Sequence, residues 1–359
     1  MSTNKLFIAI WIAFVWLLAG CETGGTTIHL DRKNPPVEKP SFQQAHYVNL
    51  FWHPQKGLLV TVEDSAYRIQ DYYYVEGKSE SIPFALPDDS LCDKYLIYQP
   101  IRLLSDGRMG MIKSCGTKAA EPDSSASHLL AYDLESQELK QIVANKLPHP
   151  DAPYDFSWNP TMTQGVQELT DRLFSTLYWI SPEGSSPIPL TLSYGKRSWS
   201  LEEQYYNMTT SNEGGSQFGF AGYPAWSPDG KVIAFWASFD AMGRKGVGRA
   251  DGEFFLVFLD PATLSYQVIL RNIYGPDALA WSPNGKRLAF YGDVGTARER
   301  GLWIFSPASN TLVKIGNSER FEGMPAWSPD SNAIAVISCS EVLCLDAEIL
   351  KYNLQGILP

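Results

Sequence analysis

From Tyr47 onward, short apolar runs alternate with clusters of Pro, Gly, Asn and Asp. Runs of this length, with apolar residues alternating along them, read as β-strands with one or two buried faces, and the clusters read as turns. One phrase recurs. It runs Pro224-Ala225-Trp226-Ser227-Pro228-Asp229-Gly230-Lys231, returns as Leu279-Ala280-Trp281-Ser282-Pro283-Asn284-Gly285-Lys286, and again as Pro325-Ala326-Trp327-Ser328-Pro329-Asp330-Ser331-Asn332. Each copy predicts a strand end, a tight turn and a second strand. Pro presets the first central dihedral of the turn, Asp or Asn tolerates the bent second position, and Gly exits at little steric cost.

Weaker copies precede these three. Trp52-His53-Pro54 ends a strand over 47–52, Ile101–Gly107 keeps the Asp-Gly turn with Leu103 in the Trp position, and Trp158-Asn159-Pro160 opens another unit. The Trp positions 52, 103 (Leu), 158, 226, 281 and 327 lie 51, 55, 68, 55 and 46 residues apart. Four short strands per unit at this period is the pattern of a propeller blade. The fold class is therefore all-β, a six-bladed β-propeller of four-stranded antiparallel blades, with seven as the competing tally. Such a unit cannot bury its faces alone, so neighbours stack and the ring closes.

The phrases resemble the WD40-like repeats of the TolB family, whose blades open with a Trp-Ser-Pro-Asp-Gly-Lys stretch. The resemblance is strong over 223–338 and weaker over 47–192. It implies a six-bladed propeller of TolB-type blades. The family's namesake also has an N-terminal α/β domain, where only a tether is expected in this chain, so the family's partners are not carried over.

The N-terminus reads differently. Lys5 precedes an apolar run from Leu6 to Leu18, followed by Ala19-Gly20-Cys21. A charged start, a short apolar core and small residues at a cut site make a secretory signal. The run falls short of the roughly 20 apolar residues of a spanning helix. Leu18-Ala19-Gly20-Cys21 resembles the bacterial lipobox, in which the Cys becomes the lipidated first residue. The domains expected are a lipoprotein signal over 1–20, lipidated Cys21 with a flexible tether over 21–45, and the propeller over 46–359. The protein is then an extracytoplasmic, membrane-anchored lipoprotein of the cell envelope.

Long irregular segments mark the candidate binding face. They are 113–128, 193–221, 238–253 and 293–301, all expected on the face opposite the repeated turns, and long loops usually carry function. Segment 193–221 carries Tyr205, Tyr206, Phe218 and Phe220 among small polar residues, a mixture that suits sugars, peptides or a protein surface. The competing reading is that these rings pin the segment onto the propeller. Arg244, Lys245, Arg249, Arg298 and Arg300 make a candidate basic spot for an anionic partner. Its alternative is a solvated surface balanced by Asp240, Asp251, Glu253 and Glu299.

Composition narrows the partners. The formal net charge of −10 argues against nucleic acid, which needs a basic footprint. Besides Cys21 there are Cys92, Cys115, Cys339 and Cys344; an even number in an exported chain predicts disulfides, assigned as Cys92–Cys115 and Cys339–Cys344. No Gly-x-Ser-x-Gly elbow, His-Glu-x-x-His, phosphate loop or dinucleotide fingerprint occurs, so no catalytic residue, metal or cofactor is assigned. Two functions stand: a scaffold binding a protein or cell-wall component through its long-loop face, or a carbohydrate-active hydrolase or lyase with a site in the propeller funnel.

Overall fold

In each strong copy of the phrase, one hydroxyl and one carboxyl or amide build the turn. Ser227 Oγ donates to Asp229 Oδ1 at 2.7 Å and accepts from Val232 N at 3.0 Å, while Asp229 Oδ1 accepts from Lys231 N at 3.2 Å. Ser282 with Asn284, and Ser328 with Asp330, repeat the arrangement. The third turn residue sits in the left-handed region, at φ 75° for Gly230, 68° for Gly285 and 62° for Ser331. The Ser hydroxyl holds the carboxyl of Asp229 below the ordinary carboxylate range, with the Lys231 amide adding, and Ser328 does the same for Asp330. Folding thus lowers both pKa values. Their stabilisation is complete above the ordinary carboxyl pKa of about 4 and is lost as pH falls through the lowered folded values. Asp229→Asn and Asp330→Asn should keep the turn, as Asn284 does, yet flatten the acid limb of a plot of Tm against pH. An unchanged acid limb would show that these carboxyls play no part in it.

The computed structural model describes residues 28–31, 37–38, 46–55, 57–63, 69–75, 78–82, 95–116, 126–143, 156–171, 174–210, 219–239, 252–317, 320–339 and 347–356. Two short strands come first, β1 (Ile28–Asp31) and β2 (Val37–Glu38). A meander of β3 (His46–His53), β4 (Gly57–Glu63), β5 (Ile69–Val75) and β6 (Lys78–Ile82) follows. The second is β7 (Tyr95–Leu103), β8 (Met109–Gly116), β9 (Ala126–Tyr132) and β10 (Leu139–Gln141). The third is β11 (Phe156–Trp158), β12 (Gly165–Asp171), β13 (Phe174–Ser181) and β14 (Gly184–Pro187). A hairpin of β15 (Thr191–Tyr194) and β16 (Arg197–Ser200) runs into helix α1 (Leu201–Thr210).

Next come β17 (Phe220–Trp226), β18 (Ile233–Ser238), β19 (Glu253–Leu259) and the first half of β20 (Tyr266–Trp281). The second half of β20 turns through irregular register to pair with β21 (Leu288–Val294), which continues into β22 (Glu299–Ser306) and β23 (Thr311–Gly316). The last meander is β24 (Arg320–Trp327), β25 (Ala333–Cys339) and β26 (Glu348–Asn353). The innermost strand of the last meander, β24, lies against that of the first, β3. The chain is an all-β propeller.

Its core lies between adjacent meanders, and alternation along each strand supplies both neighbours. In β4, Leu58 and Val60 pack against Ala335, Ile337 and Ile349 of the last meander, while Leu59 faces Met109, Met111 and Tyr132 of the second. Each fully buried side chain of this kind contributes about 1.5–3 kcal/mol. The repeated Trp joins one meander to the next. Trp281 Nε1 donates to the Ala225 carbonyl at 3.0 Å, and Trp327 Nε1 to the Ala280 carbonyl at 2.9 Å.

The structure departs from the sequence expectations in three places. The segment read as a flexible tether contributes two strands: β1 lies parallel on β23 and β2 antiparallel on β26. Both partners are last strands of their meanders, whose outer edges would otherwise present unpaired N–H and C=O groups. The segment 293–301, read as a long loop, is mostly strand, and only 295–298 connects β21 to β22. Tight reversal there uses Gly295 at φ 74° and Arg298 at φ 51°. The segment 193–221, read as irregular, is largely the β15–β16 hairpin and α1. Signal peptide and Cys21 lie outside the described residues.

Candidate binding face and channel mouth

Helix α1 begins where Ser200 caps it: Glu203 N donates to Ser200 Oγ at 3.2 Å, and Glu202 and Glu203 place negative charge in the first turn. The helix is clamped from below. Buried Gln204 donates through Nε2 to the carbonyls of Ser175, at 2.7 Å, and Gly219, at 3.0 Å, and its Oε1 accepts from Gly219 N. Thr176 Oγ1 donates to the Leu201 carbonyl. The hairpin ahead of it is wedged between the third and fourth meanders, where Leu192, Trp199 and Leu201 join the core around Val166, Phe235 and Val257. A Cβ at Gly219 would run into the Trp199 indole, so only glycine lets the chain pass there.

Beneath the helix lies a buried carboxylate. Glu168 Oε1 accepts from Thr170 Oγ1 and Ser175 Oγ, both at 2.7 Å, and Oε2 accepts from Tyr223 N at 2.9 Å. Tyr223 takes φ 54°, inside a register shift of β17 between Gly222 and Ala225. Glu168 thus ties the third meander to the first strand of the fourth.

The residues expected on this face divide. Tyr206 points outward at 49% exposure, the one exposed large apolar side chain among the described residues. Tyr205 lies half-buried between it and the buried Tyr178, with ring centroids 5.7 and 5.6 Å away. Burial first, and Tyr205 second, hold the Tyr178 phenol well above its usual pKa. Phe220 is a correction. It is only 2% exposed and packs edge-on to Phe254 at 5.3 Å, because the strand that carries the phrase begins before the phrase does. Arg298 lies 4.3 Å over the Tyr274 ring, and Arg300 meets Asp293 at 3.3 Å, so both engage residues of their own sheet. Phe218, Arg244, Lys245 and Arg249 lie outside the described residues, as do Cys92 and Cys344. Cys115 falls in β8, and Cys339 is buried at the end of β25.

A signal for the helix stood in the sequence. Ser200-Leu201-Glu202-Glu203 is a capping-box pattern, in which residue and reach match the observed cap. The rings around it drew the reading toward an irregular loop.

At the opposite end, the repeated phrase does more than turn the chain. Trp52, Leu103, Trp158, Trp226, Trp281 and Trp327 all border one cavity of about 550 Å³, with Pro54, Pro160, Pro228, Pro283 and Pro329 at its rim. The turns around the mouth touch each other: Ser105 Oγ donates to the Pro160 carbonyl, and Asn284 N donates to Ser331 Oγ. The described lining is indole, the Phe51 ring, proline, aliphatic groups, the Met324 thioether and three serines, with no ionisable side chain. Among the described residues no group of three His, Cys, Asp or Glu is placed to hold a metal ion, and no helix is long and apolar enough to cross a membrane.

No family model and no curated protein matches the chain. Solved structures do. An oligogalacturonate lyase from Vibrio parahaemolyticus is similar over 90% of this chain and 95% of its own, at 12% identity and a TM-score of 0.50. An oligogalacturonate lyase in complex with manganese is similar over 91% of this chain and 99% of its own, at 11% identity and a TM-score of 0.49. TolB from Acinetobacter baumannii is similar over 87% of this chain, at 11% identity and a TM-score of 0.44, and this chain spans 64% of it. At such identities the likeness concerns the propeller fold.

Proposed function

We propose that the chain is a lipid-anchored, extracytoplasmic, six-bladed scaffold that binds a protein or cell-envelope component through the face carrying α1. The observation that carries this reading is Tyr206: a large ring, half exposed, on a helix whose cap, Gln204 clamp and buried neighbours hold it in place. A rigid, exposed aromatic loses little entropy when a partner covers it. Six blades are supported by the six Trp-type positions around one cavity. Anchoring rests on the lipobox-like ending at Cys21. Pairing of Cys339 with Cys344 is supported by Cys339 being disulfide-bonded, and Cys92–Cys115 by the even number of cysteines besides Cys21.

The carbohydrate hydrolase or lyase reading rests on the likeness to oligogalacturonate lyases, which is one of fold. Acid–base cleavage needs carboxyls or comparable groups facing the sugar, and the described lining of the channel mouth supplies indoles, prolines and serines instead.

The test is crosslinking in the native envelope. Tyr206→Ala should lower the yield of the crosslinked partner about tenfold, the loss expected when a central interface Tyr is truncated. Lys231→Ala, on the turn face, should leave it unchanged. Equal yields from wild type and Tyr206→Ala would reject the α1 face. The intact mass of the same preparation, with and without reduction, should show the lipid on Cys21 and two disulfides; free thiols throughout would reject the pairings.

A further inference from the structure

The lead segment is attached to the propeller in a way that fixes how an anchored molecule stands. β1 pairs in parallel with β23, Ile28 beside Thr311 and Asp31 beside Lys314. β23 rises from the 307–310 turn, and β22 descends to that turn from the 295–298 connection. The 307–310 turn is at the same end as the Ser-Pro-Asp-Gly turns, because β21 climbs from one of those turns to residue 294. The chain therefore enters its first strand at the turn-face end of this sheet's outer edge.

Six residues separate Cys21 from Ile28. An extended chain spans at most about 3.6 Å per residue, so Ile28 stays within about 25 Å of Cys21. A free tether over 21–45 would reach more than three times as far by the same rule. β22 has eight residues, so the far end of the sheet lies about 27 Å further on. A second attachment, β2 on β26, holds the lead against the next sheet as well. The turn nearest the entry, Pro307-Ala308-Ser309-Asn310, carries no charge and exposes Ala308 and Ser309. In a protein of net charge −10 it is a patch that an anionic headgroup layer does not repel.

We infer that the protein docks on a lipid surface with its turn face down, the 307–310 turn against the headgroups and the α1 face directed away from the bilayer. This rests on the reading of Cys21 as the lipidated residue. The test uses the lipidated chain in vesicles of phosphatidylethanolamine and phosphatidylglycerol, with the photoreactive residue p-benzoylphenylalanine placed at Ser309 or at Thr296, exposed positions at opposite ends of one sheet. Mass analysis after irradiation should find lipid adducts several-fold more abundant at 309 than at 296. A Gly/Ser insert of about 20 residues between Glu22 and Ile28 should erase the difference while leaving the protein on the vesicles. Equal adducts in the uninserted chain, or more at 296, would overturn the orientation. A difference that survives the insert would overturn the role of the short lead. Vesicle binding unchanged in Cys21→Ser would instead reject the anchor itself, a separate failure read in a separate measurement.

Discussion

Trp327→Ala should lower the unfolding free energy by about 4 kcal/mol, read as a shift of the denaturant midpoint. Trp327 is 6% exposed in the core between the last two meanders, and truncating a buried Trp costs about 3–5 kcal/mol through lost burial and the cavity left behind. Trp327→Phe separates the ring from the hydrogen bond. It keeps most of the burial but removes the indole's hydrogen bond to the Ala280 carbonyl, a loss of about 1 kcal/mol. Trp226 provides the contrast: its Nε1 is buried with no partner among the described residues. Trp226→Phe should therefore cost distinctly less than Trp327→Phe, since it removes a donor that was already unsatisfied. Equal costs at 226 and 327 would sink the account of the repeated indole as a strap between blades.

The second large effect lies at Glu168. Glu168→Ala removes the acceptor of three donors in a buried place, and should cost about 3–5 kcal/mol. Gly222→Ala should reproduce it from the other side. A Cβ at 222 would sit 2.6 Å from Glu168 Oε2 and 2.7 Å from its carboxyl carbon, so the carboxylate must leave Tyr223 N. Because both changes break one contact, the double variant should be markedly less destabilised than the sum of the two, measured by denaturant unfolding. Strict additivity would mean that the two residues act independently.

Much of the fold was legible because it rests on local chemistry. The Ser-Pro-Asp-Gly turns are built by side chains within five residues of each other, so their pattern stands in the sequence. The strand pattern is equally direct in β4, where alternate residues meet opposite neighbours. What escaped depends on partners far along the chain. Phe220 looks like one more ring in a polar segment until β18 and β19 lie beside it. β1 pairs through its backbone, which leaves no period to read. The polar start of β22, Glu299-Arg300-Gly301, hid a strand whose residues pair with Val294, Asp293 and Gly292. The cavity ringed by Trp side chains needs the whole circle before it exists. The candidate site was legible in part: Tyr205 and Tyr206 were found by composition, while Gln204 and Glu168, which hold that region together, have no motif.

The strand pairing of β2 with β26 also sets an order of events. Val37 and Tyr352 lie near opposite ends of a 359-residue chain, so the last meander receives its outer strand only after nearly all of the chain has been made. Closing so long a loop adds an entropic cost that grows only slowly with length, but contacts this distant in sequence form late and slowly. Until then the β26 edge has no permanent partner, and a new strand from a neighbouring chain can compete for it. Ring closure is thus the step at which assembly is most exposed to error, and the first strands synthesised are the ones that end the exposure.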